Sequence, residues 1–345
     1  MKHTAKITAI IVVMFLISMF IGLFVISSYD QFFGRTSQEI EKEAAEKNIT
    51  IEKPDVSITQ EMVPPPVELK QTIDVVNIIV SILIALAIAV GLFFLLSKIK
   101  VHVVIKGWFT IVVFIALTIA LTLICYRIFG THNLVKIFGL NLSVAELIAV
   151  PLAIVLTYFK MKKRDVFVHN ISELLIYPGI AVVFIPILNV LAASILLILI
   201  SVYDMIAVWK TKHMQKLAKF QMDKLKIFTG FFIPYAGKKQ KNKIKKIKAK
   251  LKKLKTKKSK DAFIKKQKIK LNIAVLGGGD VAFPLIFIGT IFLAWGFLPA
   301  LITIITTGIA LTLLLYLAKK GKFYPAMPFL SAGCFLGLLI VSFII

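Results

Sequence analysis

Two carboxylates stand out because of where they lie. Asp204, in SVYDMIAVW, and Asp280, in LGGGDVAFP, each sit inside an apolar run long enough to cross a bilayer. A lone carboxylate at the centre of a spanning helix costs roughly 2.5–3.5 kcal/mol on insertion scales. Each of the three glycines before Asp280 weakens a helix by about 1 kcal/mol relative to alanine. A chain that keeps both costs is using them. Two carboxylates held close together cannot both ionise cheaply, so they share one proton. The ionised one can take a proton from a water between them while the protonated one polarises a peptide carbonyl, and the roles reverse as the amine leaves. That chemistry requires no nucleophilic side chain and no metal. Such a pair titrates as a unit, so neither residue is given a fixed role. Taken singly, Asp204 could pair with Lys210 or Lys212 at the membrane surface, and Asp280 could be an ion or proton site.

The elements that must position these residues are membrane spans. The chain of 345 residues is 58% hydrophobic, gathered into runs of about 20. Nine spans are expected, at about 6–28, 73–97, 103–126, 142–160, 168–186, 187–209, 271–294, 296–318 and 324–345. The boundary between the fifth and sixth rests on Pro178 and Pro186. The expectation is therefore an all-α polytopic membrane protein of about nine transmembrane helices. The first run, though near the N-terminus, is long and lacks a clear small-x-small cleavage site, so it reads as an anchor. Asp204 falls close to the inner end of the sixth span. Asp280 falls ten residues into the seventh, about 15 Å along a regular helix. The two depths converge if that helix begins above the membrane plane.

The formal net charge of +26 is concentrated in one place: residues 210–270 hold 24 Lys against 2 Asp. The N-terminal lysines and the connections after spans two, four, six and eight are all basic, whereas loop 30–72 has 9 acidic and 5 basic residues. By the positive-inside rule this sets the N-terminus in the cytoplasm and the C-terminus outside it. The organisation expected is helices one to five over 1–186, helix six over 187–209, a basic cytoplasmic loop over 210–270, and helices seven to nine over 271–345. Ile244, Ile247, Leu251 and Leu254 follow a helical rhythm in the basic loop. The loop thus reads either as an amphipathic helix on anionic lipid or as a solvated linker. It has no aromatic interleaving or nucleic-acid-binding motif, so nucleic acid is not an expected partner. Cys125 and Cys334 have no paired spacing, and the five histidines form no ligand motif, so no metal or cofactor is expected.

Three short motifs, in order, carry a resemblance. Tyr203-Asp204 in the sixth span resembles the YD motif of the GxGD intramembrane aspartyl proteases, the presenilin and signal peptide peptidase family. Gly277-Gly278-Gly279-Asp280 resembles its GxGD motif. Pro325-Ala326-Met327 at the ninth span resembles its PAL motif, with Met in place of Leu. Each motif alone is weak; their order over spans six, seven and nine is specific. The N-in, C-out orientation looks most like an archaeal presenilin homologue, and implies a multi-pass protein of a microbial plasma membrane. The resemblance implies cleavage of transmembrane segments of other membrane proteins, with Asp204 and Asp280 as the catalytic dyad. It also implies a pliable approach to the dyad at Gly277 and Gly279, and binding of extended peptide by Pro325, Ala326 and Met327. Tyr203, beside the dyad, either packs or contacts substrate. In presenilins the loop before the GxGD span is cut by the protein itself, which makes FFIPY at 231–235 a candidate for self-cleavage. Loop 30–72, with Asn48-Ile49-Thr50 as a nominal glycosylation sequon, reads as a connector that could also receive a substrate or partner. The rival reading is an ion- or proton-coupled transporter using the same aspartates, although no inverted repeat is visible. A prepilin-type peptidase shares GxGD but fits neither nine spans nor the PAM sequence. Nothing in the sequence sets an oligomeric state.

Overall fold

A computed structural model describes residues 5–47, 76–82, 84, 88, 91, 102–129, 134–137, 140–162, 165–210, 229–235, 272–318 and 324–344. Helix α1 spans Ala5–Lys47, longer than the expected first span. Its apolar part, Lys6–Gln31, is long and apolar enough to cross a membrane. Beyond it the backbone stays helical to Lys47, so the first part of the 30–72 loop is not an irregular connector. QEIEKEAAEK is built of strong helix formers, which explains the extension. Backbone at 76–82 is helical and lies within the expected second span; the rest of 73–97 is largely outside the described residues, as are the sequon and residues 244–254.

Helix α2 (His102–Phe129) is followed by a small antiparallel pair, β1 (Leu134–Ile137) and β2 (Leu140–Ser143). Ser143 then starts α3 (Val144–Lys162) with a reciprocal cap. Its backbone N–H donates to Glu146 Oε2 at 2.7 Å, and the Glu146 N–H donates to Ser143 Oγ at 3.2 Å. Glu146 therefore has a structural task at a helix start. Helix α4 (Val166–Phe184) is capped by Asp165, which accepts from the Phe167 N–H at 2.9 Å. It runs unbroken through Pro178. The boundary expected between the fifth and sixth spans, at 186–187, coincides with a 3-10 turn at Ile185–Ile187 that contains Pro186. Asn189 caps α5 (Val190–Met205), which ends in a π-helical turn, Ile206–Lys210.

The largest departure from a purely helical expectation is a second antiparallel pair. FFIPY lies in β3 (Gly230–Tyr235), paired with β4 (Asn272–Gly277), from Gly230 opposite Gly277 to Tyr235 opposite Asn272. The seventh span was expected to be helical from about 271. Its first six residues are instead strand, and α6 occupies only Gly279–Trp295. Gly296, at φ 88°, separates α6 from α7 (Phe297–Leu317), a left-handed conformation that suits glycine. Helix α8 covers Met327–Ser342.

Among the described residues six helices are long and apolar enough to cross a membrane, and α6 and α8 are shorter apolar helices. The chain is a polytopic helical membrane protein. Phe15, Met19 and Ile26 of α1 are buried in the main core with Ile185, Leu285, Phe287 and Ile304. Large apolar side chains such as Phe20, Leu152, Ile309 and Leu339 face outward, as a lipid-facing surface requires. Close approach is bought with glycine: a Cβ at Gly179 of α4 would sit 2.0 Å from the Ala116 carbonyl oxygen of α2. Gly333 and Gly337 of α8 likewise meet the α7 backbone at Thr307 and Thr303.

Candidate active site

Asp204 sits in the last turn of α5 and is 5% exposed. Its partners are the backbone of α8. Oδ2 accepts from the Met327 N–H at 3.1 Å, and the carboxylate also meets the Ala326 N–H. The chemistry of PAMP explains why. A helix start leaves its first N–H groups without partners. Ala326, at the cap, has no side chain that could accept, and Pro328 has no N–H to offer. The carboxylate of another helix supplies the missing cap, where the positive end of the helix dipole favours an anion. One turn away Ser201 Oγ and Ser331 Oγ meet at 2.7 Å, both buried. Helices α5 and α8 are thus fastened at two successive levels.

Asp280 is the second residue of α6, reached directly from β4 through the glycines. Its carboxylate meets the backbone of Gly277 and feels the charge of Asp204. Asp280 lies near enough to Asp204 for the two charges to interact, although it sits at a helix start rather than ten residues inside a helix. Each glycine has its own surroundings. A Cβ at Gly277 would lie 3.0 Å from Asp280 Oδ2, and one at Gly278 would lie 3.1 Å from the Tyr177 hydroxyl. A Cβ at Gly279 would make only ordinary contact with Phe283. Pro325 is buried beside the start of α8. Tyr203, at 47% exposed, faces the outer surface of α5 beside Val202.

A second set of residues, missed in the sequence, holds the strand pair in place. Asn170 of α4 grips Phe232 of β3 with both ends of its amide: Nδ2 donates to the Phe232 carbonyl at 3.0 Å, and Oδ1 accepts from the Phe232 N–H at 2.9 Å. His169 Nε2 lies 2.9 Å from the Gly230 carbonyl oxygen. Since that oxygen can only accept, Nε2 carries the proton, leaving Nδ1 to accept from Lys160 Nζ at 3.4 Å. Lys160 is also ion-paired to Glu173, both side chains being 2% exposed. Lys160, in the basic connection after the fourth expected span, turns its side chain inward to this pair, and Glu173, an acid within the fifth expected span, is the other half. The only sequence signal for this network was the acid itself, in an apolar run four residues before Tyr177 and four after His169.

The Asn170 grip also sets the ladder. Because Phe232 turns its N–H and carbonyl toward α4, its opposite residue Val275 turns its own away from β3, and so does Ile273. Phe231, Ala274 and Leu276 point into the core. Among the described residues the outer edge of β3 is taken by α4, and that of β4 is open.

A family model described as "Signal-peptide peptidase, presenilin aspartyl protease" matches residues 64–345. The chain belongs to this family. Two solved structures, both titled as a presenilin family intramembrane aspartate protease, share its fold at 18% identity. One, in space group C222, has a TM-score of 0.57 and covers 98% of this chain and 99% of its own. The other, in space group P2, has a TM-score of 0.55 and covers 97% of each. No curated protein matches. Family and fold together support an intramembrane aspartyl protease of the presenilin type, and nothing in them supports a transporter.

Proposed function

We propose that this presenilin-family protein is an endopeptidase that cuts transmembrane segments of other membrane proteins, with Asp204 and Asp280 activating one water between them. The observation that supports the reading is a pair of carboxylates on successive helices, α5 and α6, near enough for their charges to interact, one of them anchored on the start of α8. Water attacks the scissile carbonyl carbon and gives a proton to the ionised carboxylate, while the protonated carboxyl donates to the carbonyl oxygen. The tetrahedral intermediate then collapses, its C–N bond breaks, and the leaving nitrogen takes a proton from the dyad. A pair that must hold one proton works only between its two ionisations, so the rate should rise and then fall with pH.

A transmembrane helix hides its peptide bonds in its own hydrogen bonds, so it must unwind to be cut. The open edge of β4, ending at the glycines before Asp280, supports docking of such an unwound segment as an added strand through Ile273 and Val275. Pro325, Ala326 and Met327 would flank it on the Asp204 side. Tyr203, exposed on α5 next to Asp204, is open to a substrate arriving from the lipid. The lysine-rich 210–270 segment fits contact with an anionic cytoplasmic leaflet of a microbial plasma membrane.

The decisive experiment is cleavage of a single-span reporter in liposomes by wild type, Asp204→Ala and Asp280→Ala. Cleavage by wild type alone, with all three folded, is the expected result. Cleavage that survives either substitution would overturn the two-aspartate mechanism.

A further inference from the structure

Tyr177 is used by nothing so far. It lies on α4 at 3% exposure, its ring edge-on to Phe231 of β3 with centroids 5.6 Å apart. Its buried hydroxyl meets no partner at hydrogen-bond geometry, although the Glu173 carboxylate is near enough to compete for its proton. The surroundings of that hydroxyl are defined. Glu173 lies one turn earlier on the same helix, its carboxylate within reach of the phenol and its Oε1 paired with Lys160. On the other side is Gly278, where a Cβ would stand 3.1 Å from the hydroxyl and 3.2 Å from the ring. Asp280, two residues on, is close enough for its charge to act on the phenol.

A buried hydroxyl without a partner is costly, and a sequence that needed only the ring would use phenylalanine. The ring is fixed by Phe231 and the base of the side chain by the core, so the donor is pre-aimed at the GGGD turn. What can move is the turn itself: three glycines have no side chains to hold them, and they join a strand to the first turn of a helix. We infer that Tyr177 is a positioning residue for Asp280, its hydroxyl donating to the Asp280 carboxylate when the glycine turn closes on a bound peptide. The hydroxyl turns from the Glu173 side toward Asp280 as the turn closes. The inference also explains why the middle position of the motif is glycine here, since a methyl there would push the phenol away.

This inference rests on the proteolytic reading, and one experiment separates the two. Wild type, Tyr177→Phe, Gly278→Ala, the double variant and Asp280→Asn are assayed with the same reporter in liposomes, with kcat, KM and thermal midpoint measured for each. Tyr177→Phe is expected to lower kcat on the order of ten- to a hundredfold, the effect of losing a hydrogen bond to a charged group. KM should stay unchanged, and the thermal midpoint unchanged or raised. Gly278→Ala should lower kcat by a similar factor, and the double variant should be no slower than the worse single one, because both changes remove the same donor. Unchanged kcat in Tyr177→Phe, losses that multiply, or a loss that tracks a lowered midpoint would each overturn the inference while leaving the protease reading standing. Cleavage persisting in Asp280→Asn would bring down the protease reading, and this inference with it.

Discussion

Asp280 is held by so little side-chain matter that one methyl group is enough to disturb it. Gly277→Ala would put a Cβ 3.0 Å from the carboxylate oxygen, and that oxygen is the atom free to shift. A displacement of a few tenths of an ångström at a reacting group is expected to cost about tenfold in kcat, scaled from the hundredfold typical of 1 Å. Thermal stability should change little, and kinetic and melting assays on the same sample would show it. The buried ion pair behaves in the opposite way. Replacing Glu173 by Gln leaves Lys160 charged without its carboxylate, at a cost of about 3–5 kcal/mol. The double change Lys160→Met with Glu173→Met should recover most of that in a melting experiment. Asp204 and Asp280 stood out in the sequence because an acid in an apolar run has few ordinary explanations. The Lys160–Glu173 pair was legible only in its acid: a lysine at a span end reads as a topology signal, and nothing in a linear pattern reports that it turns inward.

At the level of elements, the strand before Asp280 was hidden by its own composition. NIAVLG is apolar enough to extend a spanning run, and both readings predict apolar residues there. Its partner β3 lies across the basic loop, so no local turn signal marks the pair. Once paired, the two strands satisfy the backbone groups that an irregular segment would leave bare in the membrane. Asn170→Ala should therefore loosen β3 selectively. Losing its two hydrogen bonds to Phe232 is worth about 1–3 kcal/mol, seen as faster amide exchange over 230–235 with exchange in α7 and α8 unchanged. Asn170→Asp would keep the acceptor but face a carbonyl with a carboxylate, and should not rescue. Helix contacts follow another rule. Gly179→Ala would drive a methyl into the Ala116 carbonyl, so α2 and α4 must part. A loss of several kcal/mol, beyond the usual range for one added methylene of about 1–3 kcal/mol, is expected in unfolding measurements. That contact could not be read from Gly179, because a glycine inside a helical run does not announce what crosses it.

For the whole molecule, hydrophobic runs and the placement of lysines were enough to read a polytopic membrane protein, since the bilayer imposes span length on every helix alike. They could not reveal that the spans are unequal. Helix α2 has 28 residues, whereas α6 and α8, which carry Asp280 and the backbone that holds Asp204, have 17 and 16. At 1.5 Å per residue the short pair measures about 25 and 24 Å, less than the roughly 30 Å of a typical hydrocarbon core. Strand β4 makes up the missing length ahead of α6, so the span that carries Asp280 crosses partly as sheet and partly as helix, with the carboxylate at the junction. Under the proposed proteolysis, bilayer thickness sets how much of that strand is drawn into the apolar layer. Reconstitution in phosphatidylcholines of increasing acyl length is expected to slow reporter cleavage steadily, with the thermal midpoint in detergent unchanged.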